Sequence, residues 1–282
     1  MLLKKIAQFT LFSSIYIAAC AVALSIETNI LLHLPLNNIS FYCFVFGATL
    51  VQYNLHYIVK KTAVEGSERL EWSLHNKALH TAMFLTGCIL IIISLFSFRL
   101  QHFYVLSILG VIAFLYSYPA LPFGKKRRIK EYGLLKILTL ALLWTLVTVW
   151  FPVSNMVVDK TLYLVIFCER FVFMFVLCLL FDIRDIEIDR KETIRTLPVI
   201  LGRYTSYKLA ILALFLFLLI VFSHFLYSGE TAVLAALALS AITTLVAIDY
   251  SRRNNSDFLY LAGIDGMMLI QAGLIYLVTV KL

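Results

Sequence analysis

The chain of 282 residues is 62% hydrophobic and only 14% charged, which makes it far more apolar than a soluble domain. These proportions exclude a water-soluble enzyme and indicate a protein embedded in a lipid bilayer. The formal net charge of +8 would suit a nucleic-acid-binding protein. Most basic residues lie in the connections between apolar runs, however, where membrane topology accounts for them. We therefore expect no nucleic-acid partner.

Nine apolar runs follow one another along the chain, each about long enough to cross a hydrocarbon core of roughly 30 Å as a helix. They lack the alternation of barrel strands, and a spanning backbone must satisfy its own hydrogen bonds, so we predict an all-α protein with nine transmembrane helices. No linker divides the runs, which favours a single domain over residues 1–282. The predicted spans are 7–25, 39–58, 79–97, 103–118, 134–151, 161–181, 207–226, 231–248 and 258–279.

The connections alternate in charge. Twenty Lys and Arg residues fall in or beside the N-terminal tail and the even-numbered loops, and three fall on the other side. The positive-inside rule therefore places the N-terminus in the cytoplasm and the C-terminus outside, in an inner or plasma membrane. The long polar connections 59–78, 119–133 and 182–206 all lie on the cytoplasmic side, so we expect the active face there.

All five cysteines lie inside predicted spans, without metal-ligand spacing, so we expect neither disulfides nor a zinc site. The basic start and apolar run of the N-terminus are similar to a secretory signal. We expect this segment to remain as the first helix, because its removal would break the alternation of charged and uncharged loops.

The segment FDIRDIEIDRKETIRTLPVILGR, residues 181–203, holds five of the 16 acidic residues. Asp182, Asp185 and Asp189 are spaced by three and four positions, which places them on one face of a helix. Like charges on one face repel each other, so a compensating cation is expected. Mg²⁺ is such a cation, and it is commonly shared between carboxylates and substrate phosphates.

Basic residues in the same segment could hold phosphate oxygens directly. They are Arg184, Arg190, Lys191 and Arg195. Together with the carboxylates they suit a metal-bridged diphosphate. The simpler alternative is a solvated segment in which each Asp pairs with a neighbouring base.

This segment resembles the second aspartate-rich motif of the UbiA superfamily of intramembrane prenyltransferases, which is D-x-x-D-x-x-x-D, a basic residue and a T-L-P-x-x-x-G tail. The tail here is Thr196-Leu197-Pro198 with Gly202. YSYPALP, residues 116–122, followed by FGKKRRIK, is similar to the family's Y-S-x-P segment and basic loop. Nine helices with a cytoplasmic N-terminus also match the family fold.

The resemblance implies transfer of a prenyl group from an isoprenoid diphosphate to a lipophilic acceptor, such as an aromatic, quinone-like or tetrapyrrole-like compound, with Mg²⁺ as cofactor. Asp182, Asp185 and Asp189 would be the catalytic carboxylates and metal ligands. The residues that would bind substrate are Asn54, Tyr116, Lys125, Lys126, Arg190 and Arg195.

The family's first motif, N-x-x-x-D-x-x-x-D, is incomplete in this chain. If Asn54 is its Asn, the two acidic positions are Ile58 and Thr62, and no Asp precedes Asp159. Three explanations stay open. Glu65, Glu68 and Glu71 could replace the missing ligands, or the lysines at 60, 61 and 125–126 with their arginine neighbours could bind phosphate directly. In the third, diphosphate chemistry has been lost, leaving a protein that binds a lipid or a protein partner.

Two ionisable residues, Glu169 and Arg170, lie near the middle of the sixth span. Because neighbouring residues on a helix point about 100° apart, each is expected to find its partner on another helix. A transporter is the least favoured function, since the charge is concentrated at one membrane face and no internal repeat is evident.

Overall fold

The computed structural model describes residues 2–59, 68–117 and 133–280, and in these ranges the protein is helical with no strand. The prediction of an all-α protein is therefore confirmed for the described part of the chain. The α-helices are α1 (Leu2–Phe12), α2 (Ile15–Leu31), α3 (Ile39–Val59), α4 (Glu68–His75), α5 (Lys77–Leu95), α6 (Leu100–Ser117), α7 (Gly133–Thr145), α8 (Lys160–Arg184), α9 (Ile186–Lys191), α10 (Leu197–Leu201), α11 (Arg203–Ser228), α12 (Thr231–Ser251) and α13 (Gly266–Val280).

Six helices in the described ranges are long and apolar enough to cross a membrane. They include two composite spans, because a π-helical turn (Leu146–Trp150) extends α7 and another (Leu259–Ile264) precedes α13. Helices α1 and α2 bend by 60° at Ser13–Ser14, and the pair makes a seventh span if it is counted as one. In the described residues, each of the nine predicted segments is largely helical, but the first, 7–25, crosses the bend at Ser13–Ser14, and the number nine and the orientation of the termini stay predictions.

Helix α8 lies at the centre of the structure. Of the residues in its most apolar stretch, 56% are buried inside the protein, the highest fraction among the six spans. The helix packs against α7 and α11. Asp159 is the N-cap of this helix, and one of its carboxylate oxygens accepts hydrogen bonds from the backbone N–H groups of Thr161 and Leu162. Because α8 is enclosed by other helices, polar groups along it must find partners inside the protein.

Helices α3 and α5 approach each other closely at two glycines. A Cβ atom on Gly47 would come within 2.8 Å of the carbonyl oxygen of Gly87, and one on Gly87 within 2.6 Å of that of Gly47. Small residues allow such contact between membrane helices, where dispersion forces replace the hydrophobic effect as the source of packing energy. The contact fixes the helix that carries Asn54 against the helix that carries His80.

Candidate active site at the end of helix 8

The aspartate segment begins in the last turn of α8 and continues into α9. Asp182 lies in that last turn, Asp185 forms the one-residue break between the helices, and Asp189 lies in α9. Asp182 and Asp189 are 5% and 4% exposed, so both carboxylates are buried. A buried carboxylate requires a cationic or hydrogen-bonding partner, and the two residues find the same one.

That partner is Lys136, in the first turn of α7. Its Nζ atom lies 2.9 Å from Oδ1 of Asp182 and 3.2 Å from Oδ2 of Asp189. Burial raises the pKa of Asp189 above its ordinary value, and the Lys136 ammonium acts in the opposite direction. The ammonium thus lies between two carboxylates that are seven positions apart in sequence.

The backbone of the loop after α9 positions Lys136. A Cβ atom on Gly133 would overlap the carbonyl group of Arg195, so the first residue of α7 is in direct contact with the loop. Lys136 follows within one helical turn and therefore reaches the carboxylates. By sequence, Lys136 is one of the twenty basic residues in or beside the N-terminal tail and the even-numbered loops, and its position inside the apolar run 134–151 is the signal that could have singled it out.

Asp185 forms an ion pair with a different cation, Arg184. The Arg184 guanidinium donates two hydrogen bonds to it, with Nε 2.7 Å from Oδ1 and an Nη atom 3.2 Å from Oδ2. Arg184 also lies 3.5 Å from Asp257, whose other oxygen accepts the backbone N–H of Arg69 at 2.9 Å. This second ion-pair network ties the end of α8 to the start of α4, so the three aspartates predicted to act together are divided between two partners.

Tyr116, at the end of α6, lies near enough to the first cluster for the charges of Lys136, Asp182 and Asp189 to act on its hydroxyl group. Among the other residues predicted to bind substrate, Arg195 is exposed, and Arg190 forms an exposed 3.2 Å ion pair with Glu187. Lys125 and Lys126 lie outside the described residues, as do Thr62, Glu65 and the two lysines at 60–61.

Asn54 lies apart from this cluster and is fully buried. Its Nδ2 atom donates to the backbone carbonyls of Ser13 and Leu50 at 3.1 and 2.9 Å, and its Oδ1 atom lies 2.6 Å from Nδ1 of His80. Both ends of the carboxamide are thus engaged within the protein. Contact with a substrate would require these hydrogen bonds to break.

The family model described as the UbiA prenyltransferase family matches residues 69–260, more than half of the chain. No curated protein matches the sequence significantly.

Several solved structures share the fold. A UbiA homolog from Archaeoglobus fulgidus bound to GPP and Mg²⁺ is 11% identical, with a TM-score of 0.58 over 97% of this chain and 99% of that one. A digeranylgeranylglyceryl phosphate synthase is 13% identical, with a TM-score of 0.58 over 99% of this chain and 98% of the other. The A. fulgidus homolog bound to DMAPP and Mg²⁺ is 14% identical, with a TM-score of 0.52 over 98% and 96%.

At such low identities the structural likeness establishes the fold alone, whereas the match to the family model extends over helices α4 to α12 and includes the whole aspartate segment. The resemblance predicted from the motif is thereby confirmed, and the chain belongs to the UbiA prenyltransferase family.

Proposed function

We propose that this protein transfers a prenyl group from an isoprenoid diphosphate to a lipophilic acceptor within the membrane. The observation that carries this proposal is the pair of buried carboxylates, Asp182 and Asp189, which converge on one cation at the end of α8. Carboxylates held in this way are suited to a site where diphosphate and its counter-cation meet. Family membership supports the same reaction.

In the proposed reaction, the bond between the allylic carbon and the diphosphate oxygen breaks, and the diphosphate leaves with the electron pair. The allylic cation that remains is captured by an electron-rich atom of the acceptor, which forms the new bond and then loses a proton. The protein accelerates the first step by stabilising negative charge on the leaving group. The acceptor we propose is an aromatic, quinone-like or tetrapyrrole-like lipid.

The residues present fit a single Mg²⁺ ion. Asp182 and Asp189 already converge, and Oδ2 of Asp182 is buried without a hydrogen-bond partner among the described residues. No group of three Asp, Glu, His or Cys side chains in the described ranges could hold a metal. Mg²⁺ does not need such a group, because it is usually held by one or two carboxylates together with phosphates and water. When bound, it would neutralise charge on the leaving diphosphate.

Cations around the carboxylates complete the proposed site. We place Arg195 and Arg190 on phosphate oxygens, since both are exposed beside the aspartate segment. Lys125 and Lys126 belong to the same proposal on their sequence position alone. Asp185 is included as a third acidic residue, although its carboxylate is held by Arg184 in the free protein. We propose that the site opens to the cytoplasm and that residues 1–282 act as one domain.

Pyrophosphate release by the full chain in nanodiscs tests this function. The assay contains Mg²⁺, a series of allylic diphosphates of increasing length, and a lipid extract from the source cells as the acceptor pool. Release that needs Mg²⁺ and disappears in Asp189→Asn supports the proposal. Glu192→Gln is the matched control, because Glu192 is an exposed acidic residue three positions away and is expected to leave the rate unchanged.

A second candidate is a family member that binds a lipid or protein partner without catalysis. Two features near the end of α3 favour it. Ile58 stands at a position where the family's first motif has an acidic residue, and Asn54 is engaged inside the protein. This candidate predicts no pyrophosphate release with any donor, while lipid that copurifies with the protein is retained equally by the wild type and Asp189→Asn.

A further inference from the structure

The Lys136 ammonium occupies the point at which the two carboxylates converge. It is the partner of Asp182 at 2.9 Å and of Asp189 at 3.2 Å, and the lysine side chain is 19% exposed. A divalent cation bridging the same carboxylates would require the space that this ammonium fills. Lys136 and a bridging metal ion therefore exclude each other in the observed arrangement.

The charge of the cluster is unbalanced. Among the residues that the structure describes, two carboxylates share one ammonium, and one oxygen of Asp182 is buried without a hydrogen-bond partner. Asp185 does not add to the imbalance because Arg184 holds it in a bidentate pair. The cluster thus retains an excess negative charge that a more highly charged cation could use.

Exchange of the ammonium for a metal ion requires a new acceptor for Lys136. A buried or half-buried lysine is stable only near negative charge, and a diphosphate supplies several phosphate oxygens. Lys136 has a flexible four-carbon stem, which allows its ammonium to move from carboxylate to phosphate without movement of α7. Diphosphate binding would therefore free the carboxylates for the metal.

We propose that Lys136 acts as an internal cation that blocks the metal site in the free protein, so that a divalent cation binds only together with a diphosphate. This regulation rests on the proposed function for its ligand. Its consequence is a coupling: diphosphate raises the affinity for the metal, and the metal raises the affinity for diphosphate by the same factor. Removal of Lys136 uncouples the two by giving the metal a site of its own.

Equilibrium dialysis of Mn²⁺ against the full chain in nanodiscs of zwitterionic lipid tests the block directly. Without any diphosphate, the wild type is expected to retain no manganese above empty nanodiscs. Lys136→Met is expected to retain one Mn²⁺ per chain, with an affinity at least tenfold higher than that of the wild type, and Lys136→Met/Asp189→Asn is expected to lose it. Lys208→Met is the matched control, since Lys208 is an exposed lysine whose ammonium lies over Tyr204.

The block is overturned if wild-type protein without diphosphate retains Mn²⁺ as tightly as Lys136→Met does. It is equally overturned if a folded Lys136→Met variant retains none. Lys136→Gln provides a second variant that keeps a hydrogen-bond donor between the carboxylates. We expect the same gain in Mn²⁺ retention without diphosphate. The wild-type arm does not depend on the folding of any variant, and tight retention of one Mn²⁺ per chain there by itself contradicts the proposal.

The final arm adds geranyl S-thiolodiphosphate, a donor analogue that does not ionise readily. The wild type is then expected to retain one Mn²⁺ per chain. For Lys136→Met, the analogue is expected to raise Mn²⁺ retention little above its value without the analogue. If neither protein binds the analogue, the proposed function fails. The dialysis with manganese alone still decides whether Lys136 blocks the metal site, so the two failures are distinguishable.

Discussion

The middle and the end of α8 both bury charged side chains, but Arg170 in the middle pairs with one carboxylate, whereas Lys136 at the end is shared by two. There, an Nη atom of Arg170 lies 3.0 Å from Glu27 of α2, whose other oxygen accepts a hydrogen bond from Gln271 of α13. At the end of the helix, among the described residues, Asp182 and Asp189 share the ammonium of Lys136. The first arrangement is a one-to-one pair, and the second carries two carboxylates for one cation.

Under the proposed function, this difference separates a structural role from a binding role. A buried one-to-one pair in apolar surroundings fixes the helices that contribute it, and it has no net charge left for a ligand. A cluster with excess charge is held less firmly and attracts a further cation. Intramembrane ionisable residues are therefore not equivalent indicators of function, and their charge balance distinguishes them.

The largest expected effect is on stability, from breaking the balanced pair. Arg170→Leu leaves the Glu27 carboxylate buried without its cation, and the loss is expected to be about 3–5 kcal/mol. Unfolding in detergent by chemical denaturant measures it. Glu27→Gln/Arg170→Leu removes both charges and should recover most of the loss. If the double variant is as unstable as the single one, the pair does not act as a unit.

At the cluster of Asp182, Asp189 and Lys136, a substitution should lower activity strongly and stability only slightly. Asp182→Asn is expected to lower pyrophosphate release on the order of 100-fold, because it removes a proposed ligand of the Mg²⁺ that would neutralise charge on the leaving diphosphate. Its unfolding free energy should change much less than that of Arg170→Leu, since Lys136 keeps Asp189 as its partner. A variant that is inactive only because it is unfolded would contradict this contrast between the two regions.

A smaller effect is expected from the backbone contact that positions Lys136. Gly133→Ala places a methyl group against the carbonyl of Arg195, and the displacement should cost about 1–3 kcal/mol and lower activity. Gly110→Ala is the matched control, because beyond the helix's own backbone no atom of the described residues lies within 4 Å of a Cβ atom at this position. That variant should be neutral or slightly stabilised in thermal unfolding, since alanine is the better helix former.

The smallest effect is expected at the start of α8, outside both charged regions. The backbone N–H of Leu162 and the Tyr227 hydroxyl, each bonded to Asp159, lower the pKa of this exposed carboxyl. A lowered pKa contributes stability above the unfolded-state value of about 4, and this contribution is lost as the pH falls through the folded-state value. Asp159→Asn should keep the cap and lose that pH dependence in thermal unfolding, whereas equal pH profiles would exclude the carboxylate as its source.

The sequence predicted the class of structure because hydropathy and length act locally. Apolar runs predict helices wherever they occur, and in the described residues the predicted spans are largely helical, although the first of them, 7–25, crosses the bend between α1 and α2. The acidic segment at the end of α8 could also be located from the sequence, since its aspartates lie within eight consecutive residues and the motif is contiguous. Helix geometry alone likewise predicted that Glu169 and Arg170 have partners on other helices, because neighbouring residues on a helix point in different directions.

The partners themselves are decided by tertiary structure. Arg170 pairs with Glu27, Glu169 with His224 at 3.0 Å, and neither partner is adjacent in sequence. The partners of Lys136 are likewise distant in sequence. Its ammonium reaches Asp189 only because α7 packs on α8 and Gly133 contacts the loop beyond α9. A motif lists which charges are present, but charge balance depends on distances between helices, and only the packed structure sets those distances.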